Sequence, residues 1–301
     1  MKNILLSASV VMLSLAFASC SQDVEYACAE QERTEESSSQ CIEGLTRDLR
    51  ALNARYRAQD TAVQRAPKVT YTKSDMVKIA IADVKGALRG TGGGPGGMVV
   101  GAATASLIKF GKITLKKYLE GILKDNAAKP RVYRSNSLCA YADSVGYYHN
   151  EVEYAMYSSD RGSCNRGSLE LVSEANARLM SMSSGFHRDG GLTAGEQLSV
   201  SSAIDAIRSV DDSQSFTSYC ASLKDLNPED AAYIDYCAEY IYTAVYANLS
   251  SLEEYTAEVM YQIQHSNVDV QNRQRLFKSV QVAYASILYS QNMEFTSIEN
   301  P

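Results

Sequence analysis

A histidine and a glutamate four residues apart are the first pair in this 301-residue chain whose spacing could support chemistry. His149 and Glu153 would share one face of a helix, as two metal ligands or a general acid and base would. The same spacing is also typical of the solvent-exposed polar face of an ordinary helix. On these general grounds we expect the exposed face.

Ser106 and Lys109 satisfy a second spacing, the Ser-x-x-Lys of penicillin-recognising enzymes, but the companion Ser-Asp-Asn and Lys-Thr-Gly motifs are absent. Gly111-Lys112 is followed by Ile113 and therefore completes no phosphate-binding P-loop. The sequence contains neither Gly-x-Ser-x-Gly, nor His-Glu-x-x-His, nor Cys-x-x-Cys. We therefore predict a protein that is not an enzyme, with no catalytic residues, no metal site and no cofactor.

The first twenty residues have the layout of an export signal. Met1-Lys2-Asn3 is followed by an apolar run from Ile4 to Ala18, which is shorter than the roughly 20 residues that a bilayer span needs. Ala18-Ser19-Cys20 resembles the cleavage box of bacterial lipoprotein precursors, in which small residues precede an acylated cysteine. The resemblance implies a lipid on Cys20 and a place in the bacterial cell envelope, at the outer membrane or cell surface rather than the inner membrane. The alternative is a plainly secreted protein.

Six further cysteines agree with export, because an even number in an oxidising compartment is typical of disulfide bonds. Proximity in the sequence favours three pairs, which are Cys28–Cys41, Cys139–Cys164 and Cys220–Cys237. Six cysteines allow 15 connectivities, so the pairing stays open.

The signal segment at 1–19 is followed by an acidic, serine-rich stretch at 20–40 that we expect to be an extended tether. From 41 to 301 the apolar residues recur with helical spacing, and a sub-boundary could fall near 126–138. Capping patterns such as Thr193-Ala194-Gly195-Glu196 mark helix starts. The sequence therefore predicts an all-α bundle of about eight to ten helices that average about 11–12 residues. The formal charge of -6 excludes a basic nucleic-acid binder.

A glycine-rich segment interrupts this pattern, since residues 86–101 hold eight of the 18 glycines. Gly97, Gly101 and Ala105 then recur every four residues and would form a flat helix face for a close helix contact. The apolar stretch ends at Lys109, and for that reason we expect no conventional transmembrane helix here. This face predicts a glycine-rich helix hairpin.

The next residues are basic and amphipathic, with Lys109, Lys112 and Lys116 on one helical face. Residues 73–131 contain eleven Lys and Arg against four acidic residues, a net charge of +7. This basic segment would contact either the acidic remainder of the chain or an anionic surface.

The Gly97-x-x-x-Gly101 spacing with flanking lysines is similar to the glycine-zipper helices of two-peptide bacteriocins and of some lipoproteins, which pair in or on membranes. Two functions follow. The first is an envelope-anchored helical lipoprotein that binds a protein partner or a ligand. The second is a membrane-active, bacteriocin-like or toxin-like protein that inserts residues 86–124. Under the second function, the residues that contact the membrane would be Gly97, Gly101, Ala105, Lys109, Lys112 and Lys116.

Two groups of tyrosines could line a ligand groove, although half-buried packing in a chain without Trp is the simpler role. They are Tyr141, Tyr147, Tyr148, Tyr154 and Tyr157, and then Tyr233, Tyr236, Tyr240, Tyr242 and Tyr246.

Overall fold

Ten α-helices account for most of the residues that the computed structural model describes, which are 35–58, 71–119, 130–131, 145–159, 166–182, 191–247, 251–291 and 294–295. The predicted all-α bundle is confirmed. The signal segment, Cys20, Cys28, Cys139 and Cys164 lie outside the described residues, as does most of the region 126–138.

The helices are α1 (Glu35–Ala58), α2 (Lys73–Arg89), α3 (Gly94–Leu119), α4 (Val145–Ser159), α5 (Ser168–Ser181), α6 (Ala194–Ser209), α7 (Phe216–Leu226), α8 (Ala231–Tyr246), α9 (Leu252–Gln264) and α10 (Val270–Gln291). Single 3₁₀ turns at Thr91–Gly93 and Pro228–Asp230 lead into α3 and α8. Two short strands, β1 (Pro130–Arg131) and β2 (Glu294–Phe295), pair antiparallel. Helix α1 begins at Glu35, so the last six residues of the predicted tether are helical.

The helix starts follow the capping chemistry of the sequence to within about two residues. Thr193 and Glu196 form the predicted capping box at the start of α6. At α2 the cap is Thr72, which forms a capping box with Asp75. Asn227 precedes the 3₁₀ turn at Pro228–Asp230 and makes no side-chain capping hydrogen bond.

The α2–α3 hairpin lies at the centre of the bundle. Helix α2 packs against α8 and α10 as well as α3, and α3 packs against α4, α5 and α6. Along α3 every residue from Met98 to Phe110 is buried. A helix buried on all sides is apolar all round, which explains the long uninterrupted apolar run.

The glycines of this hairpin bring the two backbones into direct contact. A Cβ on Gly101 would lie 2.2 Å from the carbonyl oxygen of Gly86, and a Cβ on Gly97 would lie 2.2 Å from that of Gly90. Gly97, Gly101 and Ala105 are buried in this contact inside the bundle. The small-residue face is therefore a helix–helix contact within the chain.

The segment Thr91–Lys117 is long and apolar enough to cross a membrane, with a mean hydropathy of 1.4 over its most apolar 18 residues. The prediction that this segment is too short to cross a membrane was wrong by length and composition, because the helix continues past Lys109 to Leu119. However, 78% of those 18 residues are buried in the bundle. A buried core helix has the same composition as a membrane-spanning one, so this feature is weak evidence for a span.

Candidate functional site

Four polar side chains with no solvent exposure meet where α2, α3 and α4 pack together. They are Asp83 on α2, Ser106 on α3, and His149 and Glu153 on α4, and we call them the acid–histidine cluster. Helical geometry accounts for the pair on α4, because residues four apart lie on the same face. Their sequence neighbours Val84, Leu107 and Val152 belong to the hydrophobic core.

Ser106 connects the two carboxyl groups. Its Oγ lies 3.0 Å from Asp83 Oδ2 and 3.0 Å from Glu153 Oε1. A serine hydroxyl carries one hydrogen, so it donates to one carboxyl oxygen and can only accept from the other. One of the two carboxyl groups must therefore carry a proton for both hydrogen bonds to form.

His149 is held in place by Asn150. Nδ1 of His149 lies 2.8 Å from Asn150 Oδ1, while Asn150 Nδ2 donates to the carbonyl oxygen of Ala285 on α10 at 3.1 Å. That second bond fixes which end of the amide faces the ring, so Nδ1 carries a hydrogen and donates it. Nε2 then points at Asp83 Oδ2, 3.5 Å away, and at Glu153 Oε2, 3.7 Å away.

Three buried atoms of the cluster have no hydrogen-bond partner: Asp83 Oδ1, His149 Nε2 and Glu153 Oε2. Burial, followed by the nearby charge of Asp83, raises the pKa of Glu153 well above its usual value, and the hydrogen bond from Ser106 opposes this shift. Glu153 is therefore the carboxyl that holds the proton. Across the described ranges, no group of three or more His, Cys, Asp or Glu side chains is arranged to hold a metal ion.

The expected exposed face at His149 and Glu153 was wrong. The spacing showed that the two side chains share a face, but that face lies against α2 and α3 and not in solvent. Asp83 was missed, since it lies 66 residues before His149 and its contact depends on tertiary packing. The sequence did contain a signal of its burial, because Asp83 is a charged residue among the apolar residues of α2.

Ser106 and Lys109 are not arranged as nucleophile and base. Lys109 Nζ contacts the carboxylate of Asp212 and lies 4.0 Å from the ring centre of Tyr219, whereas Ser106 contacts the two carboxyl groups. Burial, together with neighbouring ammonium groups, lowers the pKa of Lys109.

The basic segment contacts the acidic part of the same chain. Besides Lys109, Lys112 lies 3.4 Å from Asp212 and donates to the carbonyl oxygen of Arg208 at 2.6 Å. Lys117 instead pairs within the basic segment, with Asp75 at 2.9 Å. Of the two alternatives for the basic residues, the structure shows contact with the acidic remainder of the chain.

The predicted Cys220–Cys237 disulfide is absent, and Cys41 is also unbridged. Cys220 and Cys237 are buried among apolar side chains of α7 and α8, where a thiol packs as a small apolar group. Burial raises the pKa of Cys220 to about 12, and it also raises the pKa of Cys237. Closeness in sequence was a poor guide, because a disulfide also requires a Cβ separation of about 3.5–4.5 Å.

The second tyrosine group divides between core and surface. Tyr233, Tyr236 and Tyr240 are buried, as the packing role predicts. Tyr242 and Tyr246 are exposed at 43% and 36%, and their ring centres lie 4.6 Å apart.

Phe216, Arg57 and Lys73 complete this exposed group, which we call the aromatic surface. Phe216 stacks on Tyr242 at 6.2 Å. Arg57 lies over the Tyr242 ring at 5.5 Å, and Lys73 lies over the Tyr246 ring at 5.7 Å. Helices α1, α2, α7 and α8 each supply part of it.

Comparisons with known proteins identify no relative. No family model matches the chain, and no curated protein or solved structure matches it either.

Proposed function

We propose that this protein is a non-enzymatic envelope lipoprotein, anchored by a lipid on Cys20, whose helical bundle binds a protein partner through the aromatic surface. The observation that carries the proposal is the stacked, exposed pair Tyr242 and Tyr246 with a cation over each ring. Tyr and Arg are the residue types enriched at the centres of protein interfaces, where they contribute most of the binding energy.

The rings are held in one arrangement before any partner binds. Tyr242 and Tyr246 are one helical turn apart on α8, and Arg57 donates to Thr243 Oγ1 at 2.8 Å. Ordered side chains lose less conformational entropy on binding. Arg57 and Lys73 give the surface a positive rim, so the partner should present carboxylates opposite them.

The membrane-active alternative has one observation in its favour, the length and hydropathy of Thr91–Lys117. Insertion of that helix would require the backbone contact between Gly86 and Gly101 to separate. It would also leave Asp212 without its contacts to Lys109 and Lys112. We therefore favour the binding role.

Site-specific photocrosslinking tests the aromatic surface. A photoreactive phenylalanine replaces Tyr242 in the full-length protein in its native envelope, and a matched variant carries it at Tyr261, which is 62% exposed on α9. We expect a discrete protein adduct at position 242 that is absent at 261 and is lost when Arg57→Glu is added. The same adducts at both positions, or an adduct insensitive to Arg57→Glu, would contradict the proposal.

The anchor has its own test. Cys20→Ala should move the protein from the membrane fraction to the soluble fraction, and the wild-type N-terminal peptide should carry acyl mass. Unchanged partition together with an unmodified peptide would remove the lipoprotein part of the proposal and leave the binding surface unaffected.

A further inference from the structure

The acid–histidine cluster is fully buried, and its hydrogen bonds satisfy only some of its polar atoms. All four side chains are fully buried, and three of their polar atoms have no hydrogen-bond partner. Unpaired buried polar groups cost free energy and are uncommon in folded proteins. The binding role proposed above uses none of these groups.

We propose that the cluster is a proton-operated latch for α4: one proton held between the carboxyl groups keeps α4 against the α2–α3 hairpin, and loss of that proton releases it. This inference is independent of the aromatic surface and of the lipid anchor.

The two hydrogen bonds at Ser106 require one proton more than the hydroxyl itself carries. With both carboxyl groups ionised, Ser106 could donate to Asp83 or to Glu153 but not to both. With a proton on Glu153, the carboxylic acid donates to Ser106 Oγ and Ser106 donates to Asp83 Oδ2. The protonated cluster is thus a continuous chain of hydrogen bonds across three helices.

The same proton also keeps two buried negative charges from lying side by side. Two ionised carboxyl groups without solvent contact would face each other across Ser106, and an unpaired buried charge is strongly destabilising. His149 makes no hydrogen bond to either carboxyl group, because its Nε2 lies 3.5 Å from Asp83 Oδ2 and 3.7 Å from Glu153 Oε2. Release of the proton is therefore favoured only if the carboxyl groups reach water.

The surroundings supply little compensation. Lys109 on α3 attracts the charge of Asp83, although its own partner is Asp212. Tyr219 on α7 also senses Asp83, and Glu174 on α5 is paired with Arg166 and Arg178. On α10, the backbone carbonyl groups of Gln281 and Ala285 face α4 at Gly146 and Asn150.

Helix α4 is the element that the proton would release. It contributes His149 and Glu153, whereas Asp83 and Ser106 belong to the hairpin, which the glycine contacts hold together. Separation of α4 therefore breaks the cluster and leaves the hairpin intact.

Proton linkage determines whether the closed state of α4 becomes more or less stable as the pH rises. A glutamate ionises at about its usual pKa of 4.5 once exposed, while burial holds the pKa of Glu153 higher in the closed state. Each opening then releases one proton between these two values, so the latch is firm below pH 4.5 and weakens as the pH rises toward the raised pKa. In that range the contribution of Glu153 raises the open fraction of α4 about tenfold per pH unit, relative to a variant that does not titrate at position 153.

Hydrogen exchange of the α4 backbone amides tests the latch, with protection corrected for the intrinsic pH dependence of exchange. Glu153→Gln supplies permanent N–H donors in place of the titrating proton, and comparison at each pH cancels the contributions of the other groups around the cluster, His149 and Lys109 included. We expect wild-type α4 protection, relative to Glu153→Gln, to fall about tenfold per pH unit above pH 4.5 until Glu153 ionises in the closed state. Glu258→Gln on α9, where the side chain is 47% exposed, should behave as the wild type.

Several results would overturn the latch. One is a protection ratio that does not change with pH, and another is an equal change in α1, which would show unfolding of the whole bundle. Recovery of α4 protection at pH 8 by added Zn²⁺ would show a cation site instead. Should Glu153→Gln fail to fold, Ser106→Ala serves in its place: it removes the bridging hydroxyl, and unchanged α4 protection at pH 5 would refute the proposal.

Discussion

The carboxylate of Asp230 accepts hydrogen bonds from cations on two helices. Lys85 on α2 approaches its Oδ2 at 2.9 Å and Arg275 on α10 approaches its Oδ1 at 2.7 Å, while Arg89 lies 3.2 Å from Oδ2. Asp230 is fully buried, and the side chain of Lys85 is 1% exposed. Without this carboxylate, the ammonium group of Lys85 would be buried with no countercharge.

We therefore expect Asp230→Ala to lower the free energy of unfolding by about 3–5 kcal/mol, the usual cost of breaking a buried ion pair. The neighbouring residue supplies the control, since the side chain of Glu229 is 58% exposed and pairs with Arg89. Glu229→Ala should cost at most about 1 kcal/mol. Urea unfolding curves measure both, and similar losses for the two variants would contradict this role of Asp230.

The thiols give a second prediction at this scale. Cys220 and Cys237 should resist alkylation in the native protein, because they are buried and burial raises the pKa of both. After denaturation without reductant, both should be alkylated in full, as mapped by mass spectrometry. Half-buried Cys41 provides the internal comparison and should react first. A peptide pair still joined through Cys220 and Cys237 would restore the disulfide predicted from the sequence.

Sequence patterns predicted features that depend on local chemistry. The Thr193–Glu196 capping box is an example, because both partners lie within one helical turn. The small-residue face of α3 was also readable, since glycines every four residues have few other uses in a helix. The sequence did not predict the partner of each buried charge. Lys85 and Asp230, for example, are 145 residues apart and meet only in the folded bundle.

At the scale of elements, the α2–α3 hairpin depends on glycines, because their lack of side chains lets the two backbones touch. The contacts are reciprocal, as a Cβ on Gly86 would lie 2.3 Å from the Gly101 oxygen and one on Gly101 would lie 2.2 Å from the Gly86 oxygen. Backbone atoms on both sides leave no flexible group that could move aside. Even a single methyl group must push the helices apart.

Gly101→Ala should therefore destabilise the protein by about 1–3 kcal/mol, the typical cost of overpacking. An ordinary helical glycine behaves in the opposite way, because Ala is the better helix former by about 1 kcal/mol. Gly44 in α1 provides that control, since the nearest atom to its added Cβ is Arg47 Nη2 at 3.9 Å. Thermal unfolding compares the two, and a Gly101→Ala protein that melts at or above the wild-type temperature would contradict the close contact.

At the scale of the whole molecule, the charge asymmetry of the sequence is balanced inside the fold. The basic residues of α2 and α3 pair with acidic residues from the 3₁₀ turn before α8 and from the loop after α6, including Asp230 and Asp212. Lys78, Lys85, Lys109 and Lys117 on these two helices are buried, so their charges do not face outward. Long-range attraction to an anionic surface should be correspondingly weak.

Residues 35–301 without the lipid should therefore neither bind anionic vesicles nor release dye from them at physiological salt. Lys112→Glu is the comparison variant. It places a second negative charge beside Asp212, so the loop at 210–215 should loosen. Flotation with phosphatidylglycerol vesicles measures binding, and fluorescence of an encapsulated dye measures leakage. Leakage by the wild-type protein would move the preference to the membrane-active function.

The paired glycines also fix how far one helix can slide along the other. Gly86 faces Gly101, and Gly90, one turn later, faces Gly97, one turn earlier, so the two backbones interlock at two points. A slip of one residue would shift α3 by about 1.5 Å and turn its side chains by about 100°. Ser106 would then no longer face Asp83, which lies within one turn of Gly86. Positions that carry no functional group thus set the alignment of the acid–histidine cluster, and substitutions there should alter its response to pH before they unfold the protein.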